Sequence, residues 1–273
     1  MAITSLATLK SAIQSTGQRV YADKGNVASE GVGLYHSLWK TAVGIPAPGI
    51  NPPVYSADSD LMIPTSLTLG ALPIRNAGSG SLRLTQANFF KVNTGTVTIY
   101  DRLWHCSQLV TNILTTQTIA GSGRPINRGN ANGKGVELWL EVYTAPGANG
   151  ATWTINFQDP ESGGANAATY THPTNAESVG QMMPAIMVYG SKSCQYPIDF
   201  TCNASSGTAG DIGITLLRPI VTIPLKYAND FRDLGWIVNT LHKIEPNACL
   251  AMMVRCTTTT TGIVRGEIEI CEG

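Results

Sequence analysis

The chain has 273 residues, its 18 Lys and Arg balance its 18 Asp and Glu, and charged residues make up only 13% of it, against about 25% in an ordinary globular protein. The balance argues against nucleic acid as the main partner, because phosphate binding requires a basic patch. So sparse a charge lacks the repulsion that keeps free monomers apart, and suits a surface spent on other proteins.

Uncharged polar and small residues fill the shortfall: 30 Thr, 17 Asn and 28 Gly, the residues of strands and turns. No apolar run approaches the ~20 residues of a membrane span. The opening MAITSLATLKSAIQ has no cationic n-region, and Lys10 interrupts its apolar run. Synthesis in a cytoplasm without a secretion signal is therefore expected. The six cysteines, Cys106, Cys194, Cys202, Cys249, Cys256 and Cys271, fit no CxxC spacing and read as buried small hydrophobes. Cys194 and Cys202 are the pair to test for a bridge.

Along the chain, Ile3, Leu6, Leu9 and Ile13 recur at near-helical spacing and predict an amphipathic helix over residues 2–15. From Gly33 a possible second short helix runs into a segment punctuated by Pro46, Pro48, Pro52 and Pro53, which reads as an extended arm. Residues 1–60 are thus expected to be helix plus arm, and 61–273 a β body.

Beyond residue 65 the pattern turns to strands. TVTIYDRLW (96–104) alternates, with Asp101 as its one lapse; VELWLEVY (136–143) sets Val136, Leu138, Leu140 and Val142 against Glu137, Trp139, Glu141 and Tyr143; ATWTINFQ (151–158) points Trp153, Ile155 and Phe157 inward. APGANG between the last two predicts a hairpin. The basic stretch Arg124–Lys134 reads as a solvated loop. GITLLRPIVTIPL, CLAMMVRCTT and GIVRGEIEICE are further strands, with Pro219 at a bend, bulge or edge. Phe231, Leu234, Val238 and Leu241 predict one later helix over 229–242, capped by Asn229 or Asp230. The expected fold is all-β, a β-sandwich plausibly of jelly-roll type. Thr257–Thr261 suits an edge strand, and either this edge or the neighbouring 262–270 strand is expected to take part in assembly.

Chemistry is hard to find. There is no GxSxG elbow, no HExxH and no phosphate-loop frame. His105 and Cys106 are strand neighbours and face opposite ways. Glu137 and Glu141 are four strand residues apart, about 13 Å between Cα atoms, too far for a glycosidase pair. The Glu137–Trp139–Glu141–Tyr143 row reads as the polar face of a half-buried strand. Neither an enzymatic activity nor a cofactor or metal is expected.

Seven pieces in order, HSLWKTAVGIPAPG (36–49), GALPIRN (70–76), IYDRLWHCSQL (99–109), TTQT (115–118), GVELWLEVYT (135–144), GITLLRPIVTIPL (213–225) and ACLAMMVRCTTTTTG (248–262), resemble tailed-bacteriophage virion structural proteins. The resemblance implies a head decoration, or cement, protein on the capsid exterior, partnered by the major capsid protein and by copies of itself in a homotrimer. No small-molecule substrate, nucleic acid or membrane is implied. Leu6, Leu9, Ile13, Tyr35, Leu38 and Trp39 are the expected interface anchors, since buried apolar and aromatic groups dominate interface energy. The alternative is a tail or fibre module that binds a host carbohydrate through Trp139, Tyr143 or Trp104.

Overall fold

The computed structural model describes residues 2–27, 31–40, 42–57, 59–78, 80–120, 126, 128, 133–174, 177–188, 190–235, 241–260 and 262–273. In chain order its elements begin with α1 (Leu6–Thr16), β1 (Gln18–Lys24), β2 (Tyr35–Ser37), β3 (Gly44–Ile45), a 3₁₀ turn (Ser59–Met62), β4 (Leu82–Lys91) and β5 (Gly95–His105). There follow β6 (Leu109–Val110), β7 (Gln117–Thr118), β8 (Glu137–Thr144), β9 (Ala151–Gln158), β10 (Ala165–His172), β11 (Gln181–Pro184) and β12 (Ile186–Met187). The last are β13 (Tyr196–Cys202), β14 (Asp211–Leu225), β15 (Asp230–Leu234), β16 (Lys243–Ile244), β17 (Leu250–Cys256) and β18 (Val264–Glu272).

The described strands form three antiparallel sheets. One runs β5-β17-β2-β11-β8-β14-β6, and a further β5–β14 pairing closes its first six strands into a barrel. The second runs β15-β4-β18-β1-β3 with β16 also on β4, and the third runs β12-β10-β9-β13-β7.

Both outer sheets pack on the barrel through alternate residues. Val97 and Ile99 of β5, Ile223 of β14 and Met252 and Val254 of β17 meet Leu84, Phe89, Val20 and Ile268 of the second sheet. Leu138, Leu140 and Val142 of β8 and Ile212 and Ile214 of β14 meet Trp153, Ile155, Phe157 and Phe200 of the third. Strands packed outside and filled inside are covered on both faces, which is why β5 and β8 are buried almost throughout.

The proline segment lies against the body. The Trp39 indole is 1% exposed and its Nε1 donates to the Ile50 carbonyl at 3.3 Å. A Cβ on Gly49 would collide with that indole, and Gly70, at φ +102°, brings its own backbone onto Gly49. Only glycine allows so close an approach. On the other side the buried Lys24 ammonium donates to the carbonyls of Ala42 and Pro46.

Several expectations change. The β character holds, in three antiparallel sheets that include a closed six-strand barrel. The APGANG turn makes no hairpin: β8 pairs with β11 and β14, β9 with β10 and β13. Both edges of β8 are taken up by barrel closure, so residues 145–150 cross to another sheet, pinned by Gly147 and Asn149 N–H groups on the carbonyls of Thr208 and Ser206. The later helix is replaced by β15, paired to Ala87–Lys91 of β4. Phe231 is 59% exposed, so the spacing marked no buried stripe, and Asn229 is a turn residue at φ +56°; Val238 lies outside the described residues. Thr257–Thr260 form bends, and β18 sits between β4 and β1, so neither is an edge. Pro219 does mark a bulge in β14.

Replacing Gly49 with Ala should cost about 1–3 kcal/mol by overpacking against Trp39, whereas Leu67→Ala, at a side chain 92% exposed, should stay within about 0.5 kcal/mol. Urea midpoints at unchanged slope measure both.

Candidate functional site

The expected interface anchors divide sharply. Ser5 caps α1, and the helix turns Leu9 and Ala12 onto Cys271 of β18, with Ile13 partly buried beside them. Leu6 instead is 65% exposed, because its position on the helix faces away from β18. Leu38 and Trp39 are buried within the chain's own core, and Tyr35 is partly buried at the barrel strand β2. The outward apolar surface lies elsewhere in the same region: Val43, Ile45, Ile50, Leu61, Leu67 and Leu69 are all more than half exposed. They sit on two stretches of backbone that touch at Gly49 and Gly70.

The Glu137–Trp139–Glu141–Tyr143 row, expected on a polar face, faces into the barrel, since its alternates Leu138, Leu140 and Val142 face the third sheet. Deep along it, Arg102 forms an ion pair with Glu141 at 2.7 Å, both side chains being almost wholly buried. Tyr143 donates to Glu141 Oε2 at 2.6 Å and accepts from Arg102 at 2.7 Å. The Arg102 guanidinium lies 4.7 Å from the Trp39 ring centroid, and its Nε donates to His105 Nδ1 at 2.8 Å. Next to it Asp101 accepts from Arg128 at 3.1 Å, from Arg218 at 3.3 Å and from the Cys249 N–H at 3.0 Å. Arg128, from the stretch expected to be a solvated loop, is thus a buried ion-pair partner, because Asp101 and the Pro64 carbonyl supply acceptors inside; residues 124, 125, 127 and 129–132 lie outside the described residues. The lapse at Asp101 was the one signal of this network in the sequence.

These groups are poor catalysts. Burial, followed by the charges of Arg102 and Arg128, pushes His105 well below the usual imidazole range. Burial pushes the Cys106 and Cys249 thiols up to about 12, away from the thiolate a nucleophile requires. All six cysteines are buried and unbridged, Cys194 and Cys202 included. Among the described residues no group of three or more His, Cys, Asp or Glu could hold a metal ion, and no helix is long and apolar enough to cross a membrane.

Toward the start of β8 the same inner face opens. Tyr35, Tyr100, Glu137, Trp139, Met187 and Lys192 are among the residues that line a pocket of about 450 Å³. Trp139 stands edge-on to Tyr35 at 5.1 Å and to Tyr100 at 6.5 Å, and its Nε1 donates to Glu137 at 2.8 Å. Burial, then the nearby Glu137 and Tyr35, raises the Tyr100 phenol above its ordinary range. Sequence could not assemble this site, since its residues come from four strands and a loop. Of the residues expected for sugar binding, Trp104 is buried against the third sheet and Tyr143 is locked in the Arg102 network; Trp139 borders the pocket.

No protein-family model matches the chain, and no curated protein matches it in sequence. A structure of the infectious bursal disease virus Gx strain aligns over 94% of this chain and 80% of that one, at 9% identity and a TM-score of 0.15. So low a score does not establish a common fold.

Replacing Glu141 with Leu strands a buried guanidinium and should cost about 3–5 kcal/mol, whereas the double replacement Arg102→Met with Glu141→Leu should cost much less than the two single changes together. Chemical denaturation of the four proteins tests this. A second expectation concerns acid. His36 Nε2 accepts from the Gly31 N–H at 3.3 Å, and burial lowers its pKa from 6.5 to about 4. The unfolded chain therefore binds a proton below pH 6.5 that the folded chain refuses. Stability should be full above that pH and fall toward pH 4, by about 3 kcal/mol from His36. Thermal melts from pH 4 to 8 should show this acid limb, and His36→Gln should flatten it.

Proposed function

We propose that the protein is a structural component of a tailed-phage virion, a decoration or cement protein that binds the major capsid protein on the capsid exterior and associates with copies of itself as a homotrimer. The observation that carries this reading is the exposed aliphatic set Val43, Ile45, Ile50, Leu61, Leu67 and Leu69. On a chain with only 13% charged residues, such a set marks a protein contact rather than ordinary scattered exposure. The ordered sequence resemblance in residues 36–262 supplies the virion context.

The mechanism follows from how the segment is held. Lys24, Trp39 and the Gly49–Gly70 contact fasten its inner side, so its aliphatic side chains are presented with little ordering left to do on binding. Leu6 and its groove neighbours Ile3 and Leu241 extend the apolar surface at the helix. The layered body of barrel and outer sheets is taken, as part of this proposal, as a variant of the jelly-roll sandwiches from which many capsid proteins are built. No catalytic role, cofactor or nucleic-acid partner belongs to this reading.

Imaging of the assembled particle should place the chain on the shell, and light scattering of the free protein should give three chain masses. Replacing Ile50, Leu67 and Leu69 together with Ser should lower capsid occupancy at least tenfold while the melting temperature stays unchanged. Full occupancy by the triple variant would refute the assignment of the contact.

A further inference from the structure

We infer that the pocket at the start of β8 is a saccharide-binding site, independent of the virion contact proposed above. A sugar ring combines apolar C–H faces with hydroxyls that both donate and accept. A site for it therefore needs an aromatic and aliphatic wall, a fixed acceptor and a donor, in a cleft of a few hundred Å³. This pocket has each of these. Its walls are the rings of Tyr35, Tyr100 and Trp139 with Met187, and its volume is about 450 Å³.

The acceptor is Glu137. The indole N–H of Trp139 reaches it at 2.8 Å, and its charge acts on the Tyr100 phenol nearby. A carboxylate offers about four lone-pair positions, so the one fixed indole donor orients the group and leaves it acceptor capacity. Trp139 and Tyr100 are each 6% exposed. Trp139 holds the carboxylate and Tyr100 shapes the wall, while the more exposed Tyr35 supplies ring surface. Tyr35 is itself steadied by the Arg255 guanidinium, 5.4 Å from its centroid.

The donor is the Lys192 ammonium, on an exposed residue that also lines the pocket. One carboxylate and one ammonium leave the pocket with no net charge. That disfavours a phosphate, which would meet Glu137, and a free ammonium, which would meet Lys192. A neutral polyhydroxylated ring satisfies both groups at once and places its C–H face on aromatic surface.

The intact ¹⁵N-labelled protein, titrated to millimolar levels with the methyl glycosides of glucose, galactose, rhamnose and N-acetylglucosamine, tests the site through the Trp139 indole N–H resonance, assigned by its proximity to the Tyr35 and Tyr100 rings. At least one glycoside should shift that resonance saturably. Glu137→Gln and Lys192→Ala should each weaken the binding at least tenfold while leaving the melting temperature unchanged. An indole resonance that none of the four glycosides moves overturns the site, and so does binding that both variants retain at full strength. Neither result bears on capsid occupancy, so the two readings fail separately.

Discussion

Closure of the barrel along β5 and β14 sets the terms for the other parts of the molecule. The two strands pair from Thr215 opposite His105 to Leu225 opposite Gly95, with bulges that bend both. Once six strands close, their edges are gone, and each has one face inside and one outside. The outer face is covered by a second and a third sheet. Deep along the inner face there is no bulk water, so any polar group there needs an internal partner or costs several kcal/mol. Arg102, Glu141, Tyr143 and Thr215 meet that requirement together. Asp101 does the same for Arg128 and Arg218 beside them.

One strand face thereby carries two kinds of environment. At Glu141 the carboxylate is sealed and spent on a structural pair. Two and four residues earlier, at Trp139 and Glu137, the face reaches the pocket and the carboxylate has acceptor capacity left. The difference lies in burial rather than in residue type, because both glutamates receive aromatic donors.

The proline segment illustrates the same economy on the outside. Pinning its backbone by glycines and an indole directs its small side toward the body and its aliphatic side chains outward. A surface held in this way loses little conformational entropy when a partner covers it. The buried Lys24 ammonium, whose pKa burial lowers to about 8, belongs to the same fastening, as it has the carbonyls of Ala42 and Pro46 for partners.

By itself the sequence determined what local chemistry can specify. Alternation in ATWTINFQ, GITLLRPIVTIPL and GIVRGEIEICE located strands, the spacing of Ile3, Leu6, Leu9 and Ile13 located α1, and Pro219 marked an irregularity in its strand. Those signals act over a few residues, and the pleat or the helical turn reads them directly. What only the tertiary structure decided was pairing. APGANG has turn chemistry, yet whether a turn makes a hairpin depends on which edges are free, and barrel closure had taken both edges of β8. Residues 230–234 had an ambiguous spacing, and the vacant edge of β4 resolved it as a strand. The meaning of Glu137 and Glu141, and of Tyr35 and Tyr100 far away in the chain, likewise arose only when closure brought distant strands around one interior, since burial and partner distance are properties of the assembled barrel and not of any segment.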